Sequence, residues 1–278
     1  MQRSFCFIIT LLSAVLWQGC FEEVQPLDIG ETNHLIILGE LHHPDDYATV
    51  IVKELSSANG YRETLIEAAQ ISLYKKSETG ETTKLPVEFK FDTERRMFVS
   101  HRRIATTVGE TYKMTIKIDG REGEYETAEE TLLPIVPILG VEDNHLDPRI
   151  LFSDPKGIPN QYLVQSKSSS DFSYFTEMTT GIDTLFDGNE SAYIEVYFSA
   201  GYYGIQLSNI SPSTYGFYKS MLEQADQNEY YGELENGDPS FLFRSLPPQL
   251  TSNIRNTEHP NELVLGNFGV FSNSFYHP

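Results

Sequence analysis

The sequence predicts a mostly β protein arranged as two β-rich domains, the second of which carries one short helix. Three observations lead there. Short runs rich in β-branched and aromatic residues recur between turn residues along most of the chain. One of them, Thr111–Ile118, alternates with a period of two, placing Tyr112, Met114, Ile116 and Ile118 on one face and Thr111, Lys113, Thr115 and Lys117 on the other. Only one segment carries a full helix-start signal, Ser211 followed by Pro212.

In chain order, Leu35–Leu38 opens the first strand and Ala48–Leu55 and Ala69–Tyr74 follow. Val87–Phe91 and Met97–Val99 continue the pattern, and Asp119-Gly120 is a turn after the alternating strand. Spacing of this kind fits an antiparallel sandwich over residues 34–135. Pro134, Pro137 and Pro148 mark a junction at 136–149, and a second β-rich domain follows over 150–278. Its expected strands are Tyr162–Gln165, Ala192–Phe198, Leu263–Leu265 and Gly269–Phe271. The helix is expected near 212–228, with Tyr215, Tyr218, Leu222 and Ala225 on its buried face.

The N-terminus has the build of an export signal. Arg3 precedes an apolar run from Phe5 to Trp17, broken only by Thr10 and Ser13, and the run ends at Gly19-Cys20. That run is too short to span a bilayer comfortably and suits a signal core. Cleavage before Cys20 makes residues 1–19 the leader, Cys20 the acylated first mature residue and 20–33 an acidic tether. An ordinary secretory signal with a cysteine nearby is the competing reading. Of the two cysteines, Cys6 lies in the leader, so Cys20 has no internal disulfide partner and reads as a lipid site. Two or three acyl chains would hold the protein stably at a membrane.

Lys+Arg number 20 against 40 Asp+Glu, a net charge of −20, and losing the leader removes Arg3 and no acid. Such a balance argues against nucleic acid and favours solubility. About 258 mature residues suffice for two domains. No serine-nucleophile elbow, phosphate loop, dinucleotide fingerprint or zinc-protease motif occurs, so the expectation is a protein that is not an enzyme and takes no cofactor. His42-His43-Pro44-Asp45-Asp46 has metal-ligand chemistry but reads as a polar turn, as does Asp183–Glu190. No metal site is expected. The aromatics are the better candidates for recognition. Among 16 tyrosines, Tyr193, Tyr197, Tyr202 and Tyr203 cluster in the second half and could stack on sugars or anchor a partner. The alternative is that they pack between sheets.

The order of short motifs resembles domain-of-unknown-function family 4249, outer-membrane lipoproteins of Bacteroidota. The residues that carry the resemblance are Cys20 with Phe21-Glu22-Glu23, Leu35–Glu40, Ala69–Tyr74, Gly109–Tyr112, Glu124-Tyr125, Ala128 and Thr131–Pro134 in the first half. In the second half they are Asp154-Pro155, Gly157, Asn160, Tyr162, Leu185–Gly188, Tyr215–Gln224, Ser252–Ile254 and Leu265-Gly266 with Phe268. Trp17 departs from the acylation pattern, and Gly269-Val270 stands where an alanine is expected shortly after Phe268. The resemblance implies an immunoglobulin-like or carboxypeptidase-regulatory-like first domain. It also implies a cell-surface accessory, anchored to the outer membrane and facing outward, that works beside a TonB-dependent nutrient transporter as a ligand-binding or capping component. A structural or adhesin-like envelope lipoprotein is the alternative. No catalytic residue is carried over.

Overall fold

Among the described residues, β-branched and aromatic segments mostly become strands. The computed structural model describes residues 34–56, 62–77, 79–142, 149–167, 177–182, 187–196, 204–227 and 252–277. Along the chain these form β1 (His34–His43), β2 (Tyr47–Ser56), β3 (Arg62–Leu65), β4 (Ala69–Lys76), β5 (Thr82–Lys84), β6 (Phe89–Asp92) and β7 (Met97–Ser100). Next come β8 (Thr111–Ile118), β9 (Tyr125–Thr127), β10 (Glu130–Thr131), β11 (Ile138–Glu142), β12 (Arg149–Phe152) and β13 (Gln161–Lys167). The chain then forms β14 (Glu177–Ile182), β15 (Ala192–Glu195), β16 (Gly204–Ile210), the helix α1 (Pro212–Gln227), β17 (Ile254–Asn256) and β18 (Val264–Tyr276).

The central sheet has nine strands in the order β14-β13-β16-β18-β1-β2-β7-β6, with β3 also on β2. It takes strands from both sides of the 136–149 segment. Its axis is the parallel pair β1 and β18, in register from Leu35 opposite Val264 to His43 opposite Ser272. All other pairings are antiparallel. The parallel pair needs a glycine. Gly266 has φ +124°, and a Cβ there would lie 1.8 Å from the Ile37 carbonyl oxygen, so no side chain fits.

One face of this sheet packs on two smaller sheets. Leu35, Ile37 and Leu41 of β1 and Phe268 and Val270 of β18 meet Leu73, Met114 and Ile116 of the six-stranded sheet β17-β9-β8-β4-β5, which β10 joins beside β8. Farther along, Tyr162, Val164, Ile205 and Leu207 meet Ile150, Phe152 and Ile194 of the three-stranded sheet β11-β12-β15. The opposite face carries α1. Phe217, Tyr218 and Met221 pack on Ile36, Leu38, Leu163, Ile210, Leu265 and Phe271.

The fold is mostly β with several antiparallel sheets, as expected, and the helix lies where its cap predicts. The Ser211 hydroxyl accepts from the Thr214 N–H at 3.2 Å, supplying the cap. The buried face of α1 differs from the expected stripe. Tyr218 is buried, but the face runs through Thr214, Phe217 and Met221, with Tyr215 and Leu222 half-buried at its flanks. A 3.6-residue repeat allows both stripes, and the bulk of Phe217 and Met221 against Phe271 selects this one. In β8 the predicted inner residues are all buried, yet Thr115 on the supposedly wet face is buried too. The two closing strands expected at Leu263–Leu265 and Gly269–Phe271 are one strand, β18.

Candidate functional site

Several motif residues of the second half act as pins between segments. Asp154, itself buried, accepts from the Tyr162 hydroxyl and from the Gly188 N–H at 3.0 Å. Its own N–H donates to the Asn189 carbonyl at 3.0 Å, and the Asp187 carboxylate accepts from the Gly157 N–H at 2.6 Å. Asn209 donates to the Asn160 side chain and to the Pro134 carbonyl, both at 3.0 Å. The described end of the Asp183–Glu190 segment is thus a turn tied to its neighbours, as expected. A second knot lies beneath the start of α1. Asn253 grips Phe268 by accepting from its N–H and donating to its carbonyl, each at 2.8 Å, and donates to Glu130 at 3.1 Å. The Ser213 hydroxyl also donates to Glu130. Burial pushes the Glu130 carboxyl above the usual range, and these donors only partly offset it.

Beside α1 the sheet carries a row of polar side chains crossing four strands. Tyr218 donates to Glu40 at 2.9 Å, and the His42 Nε2–H donates to the other Glu40 oxygen at 3.0 Å. The Asn273 Nδ2 lies 3.1 Å from His42 Nδ1, so this ring nitrogen is the acceptor. Asn273 Oδ1 accepts from Ser208 at 2.8 Å and from Gln206 at 3.1 Å. Gln206 donates to Gln165 at 3.4 Å, and Gln165 to the Met178 sulfur at 3.8 Å. The His42 ring stacks on Phe271, centroids 4.9 Å apart. Burial raises the Glu40 carboxyl, but the bonds from His42 and Tyr218 outweigh it and hold it below the usual range. Burial and the adjacent Glu40 charge push Tyr218 well up. Both nitrogens of His42 are therefore occupied within the protein.

The adjacent His43 turns to the other side, where its Nδ1 lies 2.7 Å from the Thr106 hydroxyl, which donates to Asp46 at 2.6 Å. The two histidines separate as neighbours in a strand must. No group of three or more His, Cys, Asp or Glu able to hold a metal occurs among the described residues.

Of the residues expected to bind, Tyr193 is described and the others are not. It stands on the outer face of the three-stranded sheet, 41% exposed, opposite Leu151 in register. The Arg149 guanidinium lies 4.5 Å from its ring centre and donates to Glu195 at 3.1 Å. An exposed aromatic ring, a cation and a carboxylate thus stand side by side on this outer face. Tyr197, Tyr202 and Tyr203 lie outside the described residues, as does the lipidation candidate Cys20. Sequence reasoning missed Arg149 and the Glu40–His42–Tyr218 group. The first pairs with Tyr193 across strands, and the second joins residues far apart in the chain, so neither leaves a local signal.

A family model described as Domain of unknown function (DUF4249) matches residues 22–276. No curated protein matches the chain.

Proposed function

The chain belongs to the DUF4249 family, and from that premise we propose that it is a surface-exposed outer-membrane lipoprotein, held by acyl chains on Cys20. It serves as an accessory ligand-binding or capping component of a TonB-dependent nutrient transporter, and its role is recognition and not catalysis. The observation that carries the recognition role is Tyr193, presented to solvent with Arg149 over its ring and Glu195 beside it. The anchor reading is supported by the apolar run Phe5–Trp17 ending at Gly19-Cys20 and by the family match beginning at residue 22, two residues past Cys20.

One observation favours the structural alternative, an envelope scaffold or adhesin. Asp154, Asn160, Tyr162 and Asn253, all motif residues of the second half, pin segments together. The anchor is tested by Cys20→Ala. The variant is expected to leave the membrane fraction for the soluble fraction, and a variant that still sediments with membranes in high salt would overturn the anchor.

A further inference from the structure

The polar row beside α1 has a property that goes beyond anchoring and recognition. Its members Gln165, Gln206, Ser208 and Asn273 are each at most 5% exposed, while the His42 side chain retains 20% exposure and so meets solvent protons. Each bond in the row has a direction. With His42 neutral, Asn273 must donate to Nδ1, which turns its Oδ1 toward Ser208 and Gln206 as acceptor. That acceptor fixes Gln206 with its Nε2 inward, which in turn makes Gln165 the acceptor at the next strand. Gln165 then has its own Nε2 toward Met178 on β14.

We propose that this row is a relay with two opposite polarities, and that the proton on His42 selects between them. Protonation places an N–H on Nδ1, facing the Asn273 N–H group at 3.1 Å, donor against donor in a half-buried contact. The positive ring is held by Glu40, whose carboxylate already accepts from Nε2. Relief comes when the Asn273 carboxamide turns over, giving its oxygen to His42 and its N–H group to Ser208 and Gln206. Gln206 then turns its own oxygen inward. Gln165 follows by turning its Nε2 toward Gln206 and releasing the Met178 sulfur. No bond is made or broken except hydrogen bonds, and the only species taken up is one proton at Nδ1.

The groups around His42 permit this. Glu40 is on the same strand and Tyr218 reaches Glu40 from α1. From β18 come Phe271 and Asn273, and β2 places Tyr47 opposite in register. Asp46 and His43 are engaged with Thr106. Glu40 is thus the charged group facing the ring among the described residues. The relay runs from β1 to β14, four strand spacings or about 19 Å, so a proton at the sheet's middle is read at its edge.

The test is a side-chain NMR titration of the full chain between about pH 5 and 9, the range in which a histidine changes charge. The expected result is that the Asn273 and Gln206 amide signals and the Met178 methyl signal move with the midpoint of the His42 ring. In Asn273→Leu, His42 should still titrate while Met178 stays still. Should that variant fail to fold, His42→Gln is the substitute and should abolish the pH response of Met178. Amide and methyl signals that stay fixed while His42 titrates would overturn the relay. So would a Met178 signal that still follows pH in either variant, or a His42 that does not titrate in this range.

Discussion

The two faces of the central sheet are built from the same strands and solve burial differently. Along β1, Leu35, Ile37 and Leu41 enter the large apolar cluster beneath the six-stranded sheet, whereas Ile36 and Leu38 meet α1 and Glu40 and His42 continue into the polar row. In β16, Ile205 and Leu207 are core, and their alternates Gln206 and Ser208 are equally buried. An apolar face needs only complementary shape. The helix face also needs each buried polar atom to find a partner, because an unmade hydrogen bond there costs about 1–3 kcal/mol. The first face carries the larger apolar cluster, and the second carries a row of directional hydrogen bonds.

Substitutions on each face separate the two kinds of burial. The largest loss is expected from Gly266→Ala, which strikes both faces at once. Its methyl would overlap the Ile37 carbonyl, and the parallel pair of β1 and β18 could not form. The cost should exceed about 4 kcal/mol, and the variant should not be recovered folded. Phe268→Ala removes a fully buried ring from the apolar face and should cost about 3–5 kcal/mol in chemical denaturation.

Gly269→Ala tests the helix face. The added methyl would lie 2.7 Å from the Phe271 ring and 3.0 Å from the Thr214 methyl. Overpacking of this kind costs about 1–3 kcal/mol, and it should also displace Phe271 from His42, visible as a change in the His42 ring shifts. Glu130→Gln is smaller and depends on pH. Because its folded value is raised, the folded chain keeps a proton that the unfolded chain has lost. Stability from this group is full below the ordinary carboxylate range and falls as pH rises through the raised value. Thermal unfolding of the variant should lack that fall, and Tm should exceed the parent's above that window. Arg149→Ala lies outside both faces and should change stability by less than about 1 kcal/mol, since the side chain is partly exposed. Under the proposed recognition role it should instead lower the amount of transporter recovered with the tagged chain in affinity purification.

What could be read from the sequence follows the same division. Period-two patterning located β8 and its inner residues, and Ser211-Pro212 located the start of α1, because those signals are local. The apolar half of β16 gives the usual sign of a half-wet strand, and nothing local says that Gln206 and Ser208 are covered. The pairing of β1 with β18 joins segments more than two hundred residues apart, and no local pattern encodes it. Gly269, met in the sequence as a departure from an expected alanine, gains a reason in the Phe271 ring that occupies the space. Tyr193 was named for its residue type, but Arg149 could be added only once β12 and β15 were seen in register.

The proposed work at the cell surface beside a transporter is tested by affinity purification of the tagged chain from gently solubilised outer membranes, with bound proteins identified by mass spectrometry. A TonB-dependent transporter is expected in stoichiometric amount. Recovery of no partner, or only of envelope scaffold proteins, would contradict it.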